Sequence, residues 1–410
     1  MDIKNMLKKY ASLAVKKGVN LQKDQVLMIN TPIECYEFAR VITEEAYKEG
    51  AKEVIVRYSD QVIQRLTLEN ASIETLSNIP EWFSESYNKY AKEGCCVISI
   101  SASDPDAYKG VPAEKVSAYQ QARSKALKEY YELSMSNKIR WTVVSVPTEK
   151  WAKKVFNNAS ADEAVNKLWD QIFKVVRLYE EDPIKAWDEH NSKLHEKLNF
   201  LNYQKFKSLH YTNNKGTDLT IELPADHIWS GGSEYCYNGL EFNANMPTEE
   251  VFTMPKRDAV NGTVVSSKPL IYGGNIINNF KLTFKNGKVV DFSAEEGYDT
   301  LKKMLETDEG ASYLGEVALV PYDSPISKSN IIFYNTLFDE NASCHLAFGA
   351  AYPINIENGE NMTKEELLSK GANDSIIHED FMIGTEDLNI TGINKDGEKI
   401  QIFLNGNWAI

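Results

Sequence analysis

FKLTFKNGKVVDF, from Phe280 to Phe292, decides how the second half of this 410-residue chain is built. Apolar and polar residues alternate on both sides of Asn286-Gly287. Each arm can therefore turn one face to a core, and the dipeptide supplies the positive-φ turn of a two-residue hairpin. ITGINKDGEKIQIFL, Ile390 to Leu404, repeats the pattern around Asp396-Gly397. Further Asn-Gly pairs begin at Asn238, Asn261, Asn358 and Asn405, and none occurs in the first half. The second half is expected to be β-rich and antiparallel, with helices at Ala294 to Leu305 and Thr363 to Ser369.

The first half has a different grammar. QVLMIN (Gln25 to Asn30), EVIVRY (Glu53 to Tyr58), CCVISIS (Cys95 to Ser101) and IRWTVVSVP (Ile139 to Pro147) are short β-branched runs separated by helical periodicity. That order predicts an open, mostly parallel α/β sheet. Ser72 to Glu93 is expected to be one helix, capped by Ser72 and ended at Gly94. YEEDPIKAWDEHNSKLHEKLNFLN, from Tyr179 to Asn202, reads as an acidic run, a proline helix start and a polar helix. The domain boundary is placed there, giving an N-terminal α/β domain at 1–185 and a C-terminal β-rich α+β domain at 186–410. His190 and His195 are five apart on that helix, off a common face, and read as solvated.

Composition removes several function classes. A net charge of −14 and a pI near 5.1 argue against nucleic acid and an anionic membrane as partners. No window approaches a membrane span, and the lysines of the first 21 residues interrupt any signal-peptide core. Five scattered cysteines suit a reducing cytoplasm. Nucleotide loops, the serine-hydrolase elbow, H-E-x-x-H and paired C-x-x-C sequences are all missing from the sequence. Cys344 beside His345 is no dyad, because neighbours on an extended chain face opposite ways.

What remains is a set of carboxylates and histidines in strands and turns. In SIIHEDFMIG, His378 and Asp380 are two apart, on one face of a strand, with Glu379 on the other. They suit a metal or a hydrogen-bonded turn pair. Glu316 opens the apolar run YLGEVALVP, so a metal or a basic side chain must face it. Glu249 and Glu250, in NMPTEEVFTMP, suit a cation site, a general base or a solvated turn. His345, alone, reads more readily as a satisfied core histidine than as a ligand. Two histidines and three carboxylates form a mixed N/O set suited to Zn²⁺, Co²⁺ or Mn²⁺.

The words PTEEVFTMP (Pro247 to Pro255), GEVALVP (Gly315 to Pro321), NTLFDENASCHLAFGAAY (Asn335 to Tyr352) and HEDFMIG (His378 to Gly384) together resemble the thermophilic-type metalloaminopeptidases, the aminopeptidase T and aminopeptidase S family. The resemblance runs over essentially the whole chain. It implies a cytoplasmic, homodimeric enzyme that uses two divalent metal ions to remove N-terminal residues from peptides with a free N-terminus. The implied ligands are Glu250, Glu316, His345, His378 and Asp380, with Glu316 bridging. Tyr352 is implied at the catalytic site, where it would donate to the oxyanion, and Glu249 is expected as a proton shuttle or a supporting residue. The rival expectations are a dinuclear amidase or dipeptidase and a non-catalytic metal-binding protein of the same fold.

Overall fold

A computed structural model describes residues 2–410. In the first half, strands β1 (Val26–Pro32), β2 (Glu53–Ser59), β3 (Cys96–Ser101) and β4 (Trp141–Ser145) form a parallel sheet of order β2-β1-β3-β4. The strands lie where the β-branched runs predict, within two residues at most ends. One helix differs. Ser72 does cap, accepting from the Thr75 N–H, but the helix ends after Ile73–Leu76 and a second begins at Glu81. Pro80 sits between them, where its ring and missing N–H stop the ladder and start a new helix.

Among the described residues all strand pairing within the second half is antiparallel, and a single parallel bridge, Val143 to Asn245, joins it to β4. The Asn286-Gly287 hairpin joins Asn275–Lys285 to Lys288–Glu296, with φ of 50° and 82° at the two turn residues. The hairpin at Asp396-Gly397 joins Asn389–Ile393 to Lys399–Leu404. The strand after Asn286 runs on through Glu296, so the expected helix starts only at Tyr298 and continues to Leu305. Thr363 closes a capping box on Lys364–Ser369. A five-stranded sheet holds, in order, His378–Met382, His345–Gly349, Leu314–Leu319, Val251–Thr253 and Ser230–Gly231.

The helix Pro183–Gln204, capped by Asp182, crosses the expected boundary. The first half does not close its own core, however. Ile326, Phe333, Leu337, Phe338 and Ala342 belong to the same apolar cluster as Tyr10, Ile29, Phe38, Trp151 and Phe173. Trp151 Nε1 donates to the Phe333 carbonyl at 2.6 Å, tying that segment down. No helix among the described residues is long and apolar enough to cross a membrane.

Candidate metal centre

The five-stranded sheet gathers the candidate ligands. Its register places Glu316 opposite Ala347 and Ala347 opposite Asp380, while His345 pairs with Ala318 and His378 with Gly349. Residues across from one another on neighbouring strands share a face, so Glu316 and Asp380 project together. The ladder shifts register between Leu314 and Glu316, a bulge at Gly315. A Cβ there would lie 2.3 Å from the Ala350 carbonyl oxygen and 2.4 Å from that of Gly349. Only glycine allows the strand to bulge at this point and aim Glu316 inward. Glu250 comes from the loop just before Val251–Thr253.

Glu250, Glu316 and His345 bring ligand atoms within 4.8 Å of one another, and so do Glu316, His378 and Asp380. Glu316 belongs to both groups. Its Oε1 lies 3.6 Å from His345 Nε2, and its Oε2 lies 3.2 Å from His378 Nε2. His345 Nε2 is also 3.0 Å from Glu250 Oε2 and 4.0 Å from Asp380 Oδ1, which stands 3.7 Å from His378 Nε2. Both histidines turn Nδ1 to main-chain carbonyls, of Glu340 and Ser343 for His345 and of Ala350 for His378. A carbonyl only accepts, so Nδ1 carries the proton and the Nε2 lone pair of each neutral ring faces the cluster.

The donor set fits divalent cations. Glu316 and His345 are buried, and no Lys or Arg among the described residues pairs with Glu250, Glu316 or Asp380. Asp380 Oδ1 is buried without a hydrogen-bond partner. Without a cation these groups strain one another. Burial opposes the charge on Glu316, but His345 and His378 hold it down to about 2. His378 is lifted to about 9 by Asp380 and Glu316, which outweigh its burial. Burial, reinforced by Glu316 and Glu250, carries Asp380 up to about 6. A cation would relieve the carboxylate repulsion.

Tyr352 lines the same small cavity, its ring edge-on to His378 at 4.8 Å and tilted against Phe252 at 5.7 Å. Two carboxylates on that wall were not foreseen. Glu340 is buried and pushed well above the usual range by burial and by Asp380 and Glu250. Glu234, held at one oxygen by Asn137 Nδ2, is pushed by burial up to about 7. Glu340 lies in the quoted Asn335 to Tyr352 word, five residues before His345, where it reads as part of a short helical turn. Glu234 has no motif around it.

Glu249, expected as a proton shuttle or a supporting residue, lies behind the cavity wall. Arg177 Nη2 donates to its Oε1 at 2.7 Å, its own N–H donates to Asn341 Oδ1 at 2.6 Å, and it does not line the cavity. A carboxylate committed to a half-buried arginine is no free proton carrier. His190 is not solvated either. It is largely buried, bonded through Nε2 to the Thr248 carbonyl at 2.7 Å and through Nδ1 to Arg177 at 2.9 Å. Cys344 Sγ donates to the Val320 carbonyl at 3.3 Å, and burial pushes its thiol up to about 12, in keeping with an inert cysteine.

With this geometry established, comparisons place the chain among known proteins. The family profile described as thermophilic metalloprotease (M29) matches residues 3–408. Aminopeptidase AmpS of Bacillus subtilis is 52% identical over 98% of each chain. Aminopeptidase 2 of Geobacillus stearothermophilus is 49% identical over 98% of this chain and 97% of its own. The structure of wild-type AmpT from Thermus thermophilus superposes with a TM-score of 0.90 at 41% identity, covering all of both chains.

Proposed function

The chain belongs to the thermophilic metalloprotease family, and from that premise we propose that its five clustered ligands hold two divalent cations with Glu316 between them. The protein is a metal-dependent aminopeptidase, a peptide hydrolase that removes residues from the N-terminus. The observation that carries the two-cation reading is Glu316 itself, with one oxygen toward His345 and the other toward His378. Glu250 and His345 would complete one site, His378 and Asp380 the other. Bound there, the cations would supply Lewis acidity toward the scissile carbonyl and toward water.

The chain's own groups do the rest. The Nδ1 bonds to main-chain carbonyls fix both imidazoles in the ligating tautomer. Tyr352, packed on His378, offers its hydroxyl proton to the oxygen on which negative charge develops. Glu234 and Glu340 offer carboxyl oxygens on the wall as acceptors for the N–H groups of a free N-terminus, of which an acylated nitrogen keeps only one. Arg177 and His190 hold Glu249 and Thr248, and through them the loop that delivers Glu250. The N/O donors suit zinc, cobalt or manganese. Five free, buried cysteines support a cytoplasmic setting, and the resemblance to the family implies a homodimer. On this reading 1–185 and 186–410 serve as substrate-binding and catalytic units.

Metal titration of stripped protein tests the proposal. Leucine p-nitroanilide turnover is expected to reach its plateau at two equivalents of cation per chain. A plateau at one equivalent would overturn the two-cation reading, and cleavage of N-acetylated peptides at the rate of free ones would overturn the role given to the acidic wall.

A further inference from the structure

A cleft of about 1500 Å³ adjoins the metal centre and is lined from both halves of the chain, with Asn30, Arg57 and Arg123 on one side and Tyr272, Ala351 and His378 on the other. His378 is common to this cleft and to the metal cavity. On the N-terminal side the cleft opens at the carboxyl ends of parallel strands, since Asn30 and Thr31 end β1 and Arg57 to Ser59 end β2. The strand order β2-β1-β3-β4 changes direction between β1 and β3, where Asn30 pairs with Ser99, and open α/β sheets bind ligands at such a crevice.

Two arginines in this wall have no acidic partner. Among the described residues neither Arg57 nor Arg123 forms an ion pair, in a chain of net charge −14. Arg57 lies over the Tyr87 ring at 4.2 Å and gives both Nη groups to Ser86, which leaves its Nε buried without a partner. Arg123 lies over the Phe83 ring at 5.8 Å, among the phenols of Tyr87, Tyr119 and Tyr131. Several acids of the cleft are engaged elsewhere, Glu132 with Lys128, Glu129 with Lys92, Asp374 with Lys364, and Asp60 with the start of the helix it caps, while Glu360 and Glu379 lie on the C-terminal side and form no ion pair with either arginine. Partly buried cations stacked on aromatic faces and lacking counter-ions are set up for an anion from outside.

We propose that Arg57 and Arg123 bind the C-terminal carboxylate of short peptides whose N-terminus lies at the metal centre. The proposal rests on the aminopeptidase reading and supplies its substrate class. Once the α-amino end is anchored, the carboxylate is the remaining ionic end of a small peptide. A guanidinium meets it with paired N–H donors. The N-terminal unit then acts as a ruler, favouring peptides whose two ends span the distance from cations to arginines.

The test uses the metal-loaded enzyme and leucine-initiated peptides of two to five residues, each as the free acid and as the C-terminal amide, beside leucine p-nitroanilide. At the favoured length the acid is expected to have a KM about tenfold below that of the amide. Arg57→Gln and Arg123→Gln are each expected to collapse that ratio toward one, and Arg123→Lys to keep part of it. Reading a ratio cancels any loss of folded protein. Equal KM for acid and amide at every length in the wild-type enzyme, or a ratio unmoved in both glutamine variants, would overturn the proposal while anilide turnover continued. Loss of anilide turnover in the wild-type enzyme would instead overturn the aminopeptidase reading, and this proposal with it.

Discussion

Tyr352 and His190 show how single side chains divide the work at this centre. The Tyr352 hydroxyl has no role in packing that phenylalanine could not fill, since its ring contacts are with His378 and Phe252. Tyr352→Phe is therefore expected to keep the fold and both cations and to lower kcat about a hundredfold, as loss of one preorganised donor does. Metal content measured beside kcat checks this. His190 acts at a remove. His190→Ala strips a partner from the buried Thr248 carbonyl and from Arg177, and urea unfolding should register a loss of about 1–3 kcal/mol. His195, half-buried and bonded at 3.2 and 3.4 Å, should lose less. That contrast was hidden in the sequence. Periodicity places both histidines on a polar helix but says nothing of Thr248, 58 residues away, or of Arg177, whose φ of 62° turns it back toward Glu249.

At the scale of elements, the bulge at Gly315 is the feature that most needs its residue. Gly315→Ala would drive a methyl against two carbonyl oxygens of the neighbouring turn, so the strand must shift or straighten. Expected outcomes are weaker metal affinity and a lowered Tm together, read by metal titration and calorimetry, because the same displacement moves Glu316 and unzips a ladder. Hairpins and parallel strands were legible because alternation and β-branched runs are local. His378 and Asp380 were legible as a one-face pair for the same reason, and they share strand His378–Met382. Glu340 was not, since its approach to Asp380 and Glu250 depends on how a short turn packs beneath the sheet. Pro80 was a local signal that the long helical pattern of Ser72 to Glu93 obscured.

For the whole molecule, cation binding and folding are linked. The ligands come from a loop and three strands of one sheet, so the unfolded chain offers no comparable site, and cations stabilise the folded state by mass action. Free cation at a hundred times Kd is worth about 2.7 kcal/mol, so chelation should lower Tm and cation should restore it, with leucine p-nitroanilide turnover lost and regained in parallel. The apolar cluster of the first half has a further consequence, for how the protein is made. Ile326, Phe333, Leu337, Phe338 and Ala342 complete a core whose other members are mostly in the first 187 residues. A ribosome that has delivered the parallel sheet has therefore produced an uncovered apolar wall, which must wait on the order of ten seconds for its lid to be translated. Nascent chains of this protein are therefore expected to hold a sticky, unfinished face until that segment emerges.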